Sequence, residues 1–188
     1  MSQTPYGFDA ALFRAARTAA GATVPHIART ARVSERAVSL YLAGTRTPRP
    51  GVMVLLAQAV GAEPADLCTA PRETLRHLRI FTGRSRAQMG RHLGMSEATY
   101  RELENTGARG RLAGSRYSPR EGRWLPWEEW AAPKFATTPD RLAAAEEHTR
   151  AEWQAERERR WQQLSEADPA RAARIEELGR LGRPLRDR

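Results

Sequence analysis

The chain has 188 residues, 40% of them hydrophobic, with a formal net charge of +9. That length holds one or two small domains with compact helical cores, not one large core. A lone cysteine, Cys68, excludes an intrachain disulfide and a cysteine zinc cluster, and no apolar run approaches the roughly 18 residues of a membrane span.

Of 31 basic residues, all but Lys134 are Arg. Arg offers a planar fork of donors that suits phosphates and guanine edges. Coding at high GC content gives the same excess, so position says more than number. Residues 1–72 carry eight Arg against four acids, and residues 73–123 carry eleven against five. Residues 124–138 are net −1, and residues 139–188 balance at eleven against eleven. The positive excess therefore lies in the first two thirds, where it attracts polyanions. The start, MSQTPYGFDAALF, lacks the basic and apolar regions of a signal peptide. A cytoplasmic, nucleoid-associated protein with no membrane contact is expected.

In chain order, Leu12, Ala15, Ala16 and Ala19 space a first helix, and Ile27 with Ala31 a second. Val38, Tyr41 and Leu42 space a third. Thr23 and Ser34 stand where N-caps belong. A basic turn, AGTRTPRP (43–50), leads to Val52, Leu55, Leu56, Ala59 and Val60, the stripe of a fourth helix ended by Gly61. Cys68 closes this stretch as a small core residue.

After TAPRE (69–73) the pattern returns 62 residues on. TVPHIARTARVSERAVSLYLAG (23–44) is answered by SRAQMGRHLGMSEATYRELENTG (85–107). Arg14/Arg76, Arg17/Arg79, Gly21/Gly83, Arg29/Arg91, Ser34/Ser96 and Glu35/Glu97 coincide without a gap. Ser85 with Gln88 forms a capping-box pattern. Ala28 and Gly90 supply the small residue that two steeply crossing helices need. The turn needs positive φ, which suits Gly94 and costs Arg32 on the order of 1 kcal/mol.

These ordered residues make both copies resemble the Cro/CI (XRE-like) helix-turn-helix family. The first does so over roughly residues 9–68, and the second is recognisable from Glu73 to Glu104 with the phrase LENTG (103–107). The resemblance implies a five-helix bundle for the first unit. The second departs: GARGRLAGSRYSPREGR (107–123) follows with no fourth-helix stripe. A resumption at TTPDRLAAAEEHT (137–149), with Thr138 as cap and Pro139 at the first helical position, makes this an insertion. The alternative is a unit that stops at its third helix and borrows packing from WLPWEEW (124–130). One helix is then expected from Pro139 to about Glu166, with Leu142, Ala145, Thr149, Trp153 and Leu164 on one face, and a last short one at 175–182. The terminus GRPLRDR reads as frayed.

The fold class expected is all-α: two tandem helix-turn-helix units, a Trp-rich segment and a long C-terminal helix. The divisions are residues 1–70, residues 71–150 with a basic insertion at 107–138, and a helical extension at 151–188. Trp127 and its neighbours read as plugs for the shortened second core, with a protein interface as the alternative.

In the resembled family the second motif helix enters the major groove and meets base edges with its N-terminal end. This implies base contacts by Glu35, Arg36, Ala37 and Ser39 from 34–42, and by Glu97, Ala98, Thr99 and Arg101 from 96–104. Arg36 suits guanine, the glutamates suit cytosine N4, and Ala37 and Thr99 suit thymine methyls. Phosphate contacts are expected from Thr23, Thr45, Arg46, Arg49 and Arg86. Arg109, Arg111, Arg116, Arg120 and Arg123 of the arm follow the backbone or lie in a minor groove, or else belong to a solvated loop.

A sequence-specific transcriptional regulator on double-stranded DNA, a repressor by preference, is the leading reading. An accessory or assembly protein of plasmid or phage maintenance, or of antitoxin type, is the alternative, with residues 124–188 binding a partner or a second copy. An enzyme is not expected. His26, His77, His92 and His148 lack metal-ligand spacing, and no phosphate loop or nucleophile motif occurs, so no metal or cofactor is implied.

Overall fold

The computed structural model describes residues 6–110 and 113–181, with side chains through residue 178. Four helices come first: α1 (Ala10–Ala19), α2 (Val24–Ala31), α3 (Glu35–Leu42) and α4 (Pro50–Ala59). A 3-10 turn at Pro64–Leu67 stands where the short fifth helix is expected. Then come α5 (Leu75–Phe81), α6 (Arg86–Leu93) and α7 (Glu97–Thr106). Two short strands follow, β1 (Arg116–Ser118) and β2 (Arg123–Leu125). The chain continues with α8 (Trp127–Ala131), a 3-10 turn at Ala132–Phe135, α9 (Pro139–Ala167) and α10 (Pro169–Leu181).

The sequence correspondence has a local counterpart in the helices and their caps. α6 begins 62 residues after α2, and α7 begins 62 after α3. Thr23 and Ser85, then Ser34 and Ser96, accept a hydrogen bond from the backbone N–H three residues on. Those hydroxyls satisfy donors that have no intrahelical partner. Arg32 and Gly94 both cap the preceding helix in the left-handed region, with φ of 55° and 70°. A Cβ on Gly90 would lie 3.1 Å from the Met95 carbonyl oxygen, which shows how closely the two helices cross.

Two of the three coinciding arginine pairs, Arg14/Arg76 and Arg17/Arg79, are structural. Arg17 donates to the Ala22 carbonyl at 3.0 Å, and Arg79 donates to that of Arg84 at 2.8 Å. Each closes the turn after the first helix of its copy. Arg14 donates to the Leu42 carbonyl at 2.5 Å, while Arg76 lies 3.9 Å from the Glu104 carboxylate.

The first core gathers Phe13, Ile27, Val38, Tyr41, Met53, Leu56 and Leu67. Full burial of side chains this size stabilises by roughly 1.5–3 kcal/mol each. Phe8 pairs with Cys68 as an isolated antiparallel bridge, tying the start of this unit to its end. Cys68 is half-buried against the core, and burial pushes its thiol up to about 12.

The second core joins Leu75, Leu78, Met89, Leu93, Tyr100 and Leu103 to Trp127, Trp130, Phe135, Leu142 and Ala145. Both expected routes to closing it therefore contribute. Thr138 accepts from the Arg141 N–H and Pro139 sits in the first turn of α9. Trp127 and Trp130 fill the remaining gap edge to face, 4.8 Å between centroids. α4 lies on α2, whereas α9 lies on α5, α7 and α8, so α9 is not a simple replacement for a fourth helix.

The fold differs in detail from the sequence expectations. The described chain is mostly helical, as expected, with one small addition: part of the expected arm folds into an antiparallel hairpin with Arg116 opposite Leu125. The boundary at residue 150 falls inside one continuous helix, α9. The last helix starts at Pro169, six residues before the expected position, because Asp168 accepts from the Arg171 N–H and Pro169 suits a first helical residue. The division at residue 70 is crossed by packing: Ile80 of α5 is a member of the first core, with Phe81 packed against it. The frayed terminus expected at 182–188 lies outside the described residues.

Candidate nucleic-acid interface

α3 presents its N-terminal end outward. Ser34 Oγ accepts from the Ala37 N–H at 3.2 Å and fixes the start of the helix. Val38 and Tyr41 are buried, anchoring the inner face three residues apart. Glu35, Arg36 and Ser39 are exposed, and Ser39 Oγ donates to the Glu35 carbonyl at 3.0 Å. Ala37 is corrected: it is 8% exposed and belongs to the core, so its methyl does not face a groove. The family resemblance implied a groove contact for it, but its methyl packs in the first core.

Around α3 the basic residues are unneutralised. Arg29, Arg32, Arg36, Arg46, Arg49 and Arg72 are exposed, and among the described residues none of them has an acidic partner. Thr23 and Thr45 are also exposed, though both hydroxyls have local work. Thr23 accepts from the His26 N–H at 3.3 Å, and Thr45 donates to the Leu40 carbonyl at 3.2 Å.

α7 differs. Glu97, Ala98 and Arg101 are exposed, and Thr99 is half-buried with its hydroxyl 2.9 Å from that of Ser96. Several of the arginines near it are held internally, while Arg91 and Arg101 stay exposed. Arg86 donates to Glu104 at 2.7 Å and to Asn105 at 3.3 Å, so it clamps α6 to α7 and is not a free phosphate contact. Arg109 pairs with Glu146 at 2.5 Å and with Glu128. Arg116 donates to the Leu93 carbonyl at 2.6 Å, its guanidinium 3.7 Å from the Trp130 ring centroid. Arg123 pairs with Glu121 and Glu129. Arg111 lies outside the described residues. Arg120 stays exposed, with no acidic partner among the described residues.

The residue that sequence reasoning missed is Glu104. It is 2% exposed, bonded by Arg79 at 2.5 Å and by Arg86, with Arg76 nearby. Burial pushes its carboxyl up, but the Arg79 and Arg86 guanidiniums more than reverse this and hold it below the usual value. Tyr100 is buried beside it, and burial, then that carboxylate, push the phenol well up. The available hint was an acid at the position that Leu42 holds in the first copy.

The family model described as a helix-turn-helix domain matches residues 10–68. Residues 10–68 are thus similar to a helix-turn-helix domain. No curated protein and no solved structure matches the chain. The domain points to DNA binding, and its span covers α1 through the 3-10 turn, including the exposed arginines from Arg29 to Arg49. No described helix is long and apolar enough to cross a membrane. Among the described residues no group of three His, Cys, Asp or Glu is placed to hold a metal ion.

Proposed function

We propose that this protein is a sequence-specific DNA-binding transcriptional regulator, by preference a repressor, of Cro/CI-like type. α3 reads the major groove with Arg36 on guanine, Glu35 on cytosine and Ser39 beside them. Thr23, Thr45, Arg46 and Arg49 hold the flanking phosphates. α7 supplies the second reading helix of a tandem pair, through Glu97, Ala98, Thr99 and Arg101. No enzymatic step is assigned to any residue, and the site of action is the cytoplasmic nucleoid.

One observation carries this reading: the exposed arginines around α3 lack acidic partners among the described residues, whereas beside α7 Arg79, Arg86 and Arg109 are matched with Glu104, Glu128 and Glu146, and Arg91 and Arg101 stay exposed. A cluster of unpaired guanidiniums repels itself unless an external polyanion neutralises it. The first unit is therefore the principal DNA anchor.

The test is selection of bound sequences from a random duplex pool, with the full chain and the Arg36→Ala variant. An asymmetric motif is expected, with one half relaxed in the variant at a discrimination loss of about 1–3 kcal/mol. Salt-sensitive binding to any duplex, with no enriched motif, defeats the sequence-specific reading.

A second reading, an accessory or assembly protein, is favoured by the far end of the chain. Trp153, Ile175 and Leu178 are exposed on α9 and α10 at 37%, 42% and 62%. A homodimer or protein partner held there, and no motif in the selection, supports that alternative.

A further inference from the structure

The hairpin β1–β2 has two unlike faces. A strand sends alternate side chains to opposite sides. On one side the cross-strand partners Arg116 and Leu125 face the helices. Leu125 packs on the second core, and Arg116 reaches both the Leu93 carbonyl and the Trp130 ring. This side pins the hairpin to the end of α6, next to the turn that leads into α7.

The next pair, Tyr117 opposite Trp124, takes the other side. The rings meet edge to face with centroids 5.9 Å apart, yet they remain 54% and 66% exposed. Trp124 is the most exposed large hydrophobic side chain among the described residues. Contact between the rings steadies the hairpin. It does not explain why two large aromatics face water while Trp127 and Trp130 are buried nearby. The connecting turn carries Arg120, exposed and without an acidic partner among the described residues. Arg116 is held inside the fold and Arg123 pairs with Glu121 and Glu129, so Arg120 is the cation that this hairpin offers outward.

We infer that this aromatic face is a DNA contact, lying on the sugar–phosphate backbone of the duplex flanking the segment read by α7. The rings of Tyr117 and Trp124 cover apolar sugar edges, and Arg120 donates to a phosphate. Positive charge beside exposed aromatic faces matches that chemistry, whereas an apolar protein partner gains nothing from Arg120. The inference rests on the DNA-binding reading, and it replaces Arg109 and Arg116, which are held inside the fold, as the contact of this segment.

The experiment uses the full chain on the duplex recovered by selection. Its variants are Tyr117→Thr with Trp124→Thr, Arg120→Ala, and Arg36→Ala. Threonine keeps strand propensity while removing the rings. Affinity is measured over a salt series, with hydroxyl-radical footprinting of each complex. The double variant is expected to bind about tenfold more weakly and to lose protection on one flank only. Arg120→Ala is expected to lower the salt slope by about one.

Unchanged affinity, slope and flank protection in both hairpin variants, with specific binding lost in Arg36→Ala, overturns the inference and leaves the DNA-binding reading standing. A parent chain that protects no duplex overturns both. Unchanged DNA binding with loss of self-association in the double variant assigns the face to a second copy, and so overturns the inference as well. Arg120 lies in an exposed turn, so its variant carries the test if the double variant fails to fold.

Discussion

At the scale of single residues, Glu104 decides most. It sits in the second copy where Leu42 sits in the first, and it gathers Arg79, Arg86 and Arg76 around one buried carboxylate. Replacing it by Ala leaves Arg79, whose side chain is 8% exposed, without its acidic partner and with only the Arg84 carbonyl to accept from it. The expected loss is about 3 kcal/mol, read by urea unfolding. The sign with pH follows from the lowered carboxyl. Its stabilisation is fully present above the ordinary value of 4.5 and is lost as pH falls through the lower folded value, which an acid titration of stability checks. Sequence reading found that Arg14 and Arg17 recur as Arg76 and Arg79, but not why. The cause is a carbonyl or carboxylate that folding brings close, such as Glu104, 25 residues from Arg79. Arg86, Arg109 and Arg116 were misplaced for the same reason. A guanidinium fork that suits a phosphate suits a glutamate or a helix-end carbonyl equally well, and spacing along the chain does not say which it meets.

At the scale of elements, the helices of the repeat were legible because their signals are local. Caps at Thr23, Ser34, Ser85 and Ser96 and anchors such as Val38 and Tyr100 act within a few residues. The strain at Arg32 was equally legible, since the turn requires a left-handed residue whatever its neighbours. Arg32→Gly is therefore expected to stabilise the free protein by about 1 kcal/mol, seen as a higher melting temperature. The hairpin escaped notice because three-residue strands are too short for an alternating pattern to stand out. Its glycines and arginines resemble a loop until Arg116 finds Leu93 and Trp130. Gly107 shows the same limit. It reads as a helix end, and its φ of 66° agrees. Its second constraint is the crossing of α7 over α9, where a Cβ would lie 2.8 Å from the Glu146 carbonyl oxygen.

At the scale of the whole molecule, the expected picture of two units on a short tether gives way to interlocked packing. Ile80 closes the first core from within the second copy, and a Cβ on Gly83 would come within 3.2 Å of Val54. Tyr6 adds a hydrogen bond to the Pro48 carbonyl under the same seam. Nothing in the sequence marks Ile80 as serving a different core from Leu78, because both sit on one short helix and only the arrival of α4 separates them. On the proposed reading, in which both α3 and α7 contact DNA, this shared helix makes the pair a ruler. A flexible tether lets two readers follow their half-sites when the spacer grows by a full turn of the double helix, about 10 base pairs. A ruler does not. On a site contacted by both helices, adding 5 or 10 base pairs between the halves is expected to abolish joint binding equally, leaving only the affinity of the α3 half.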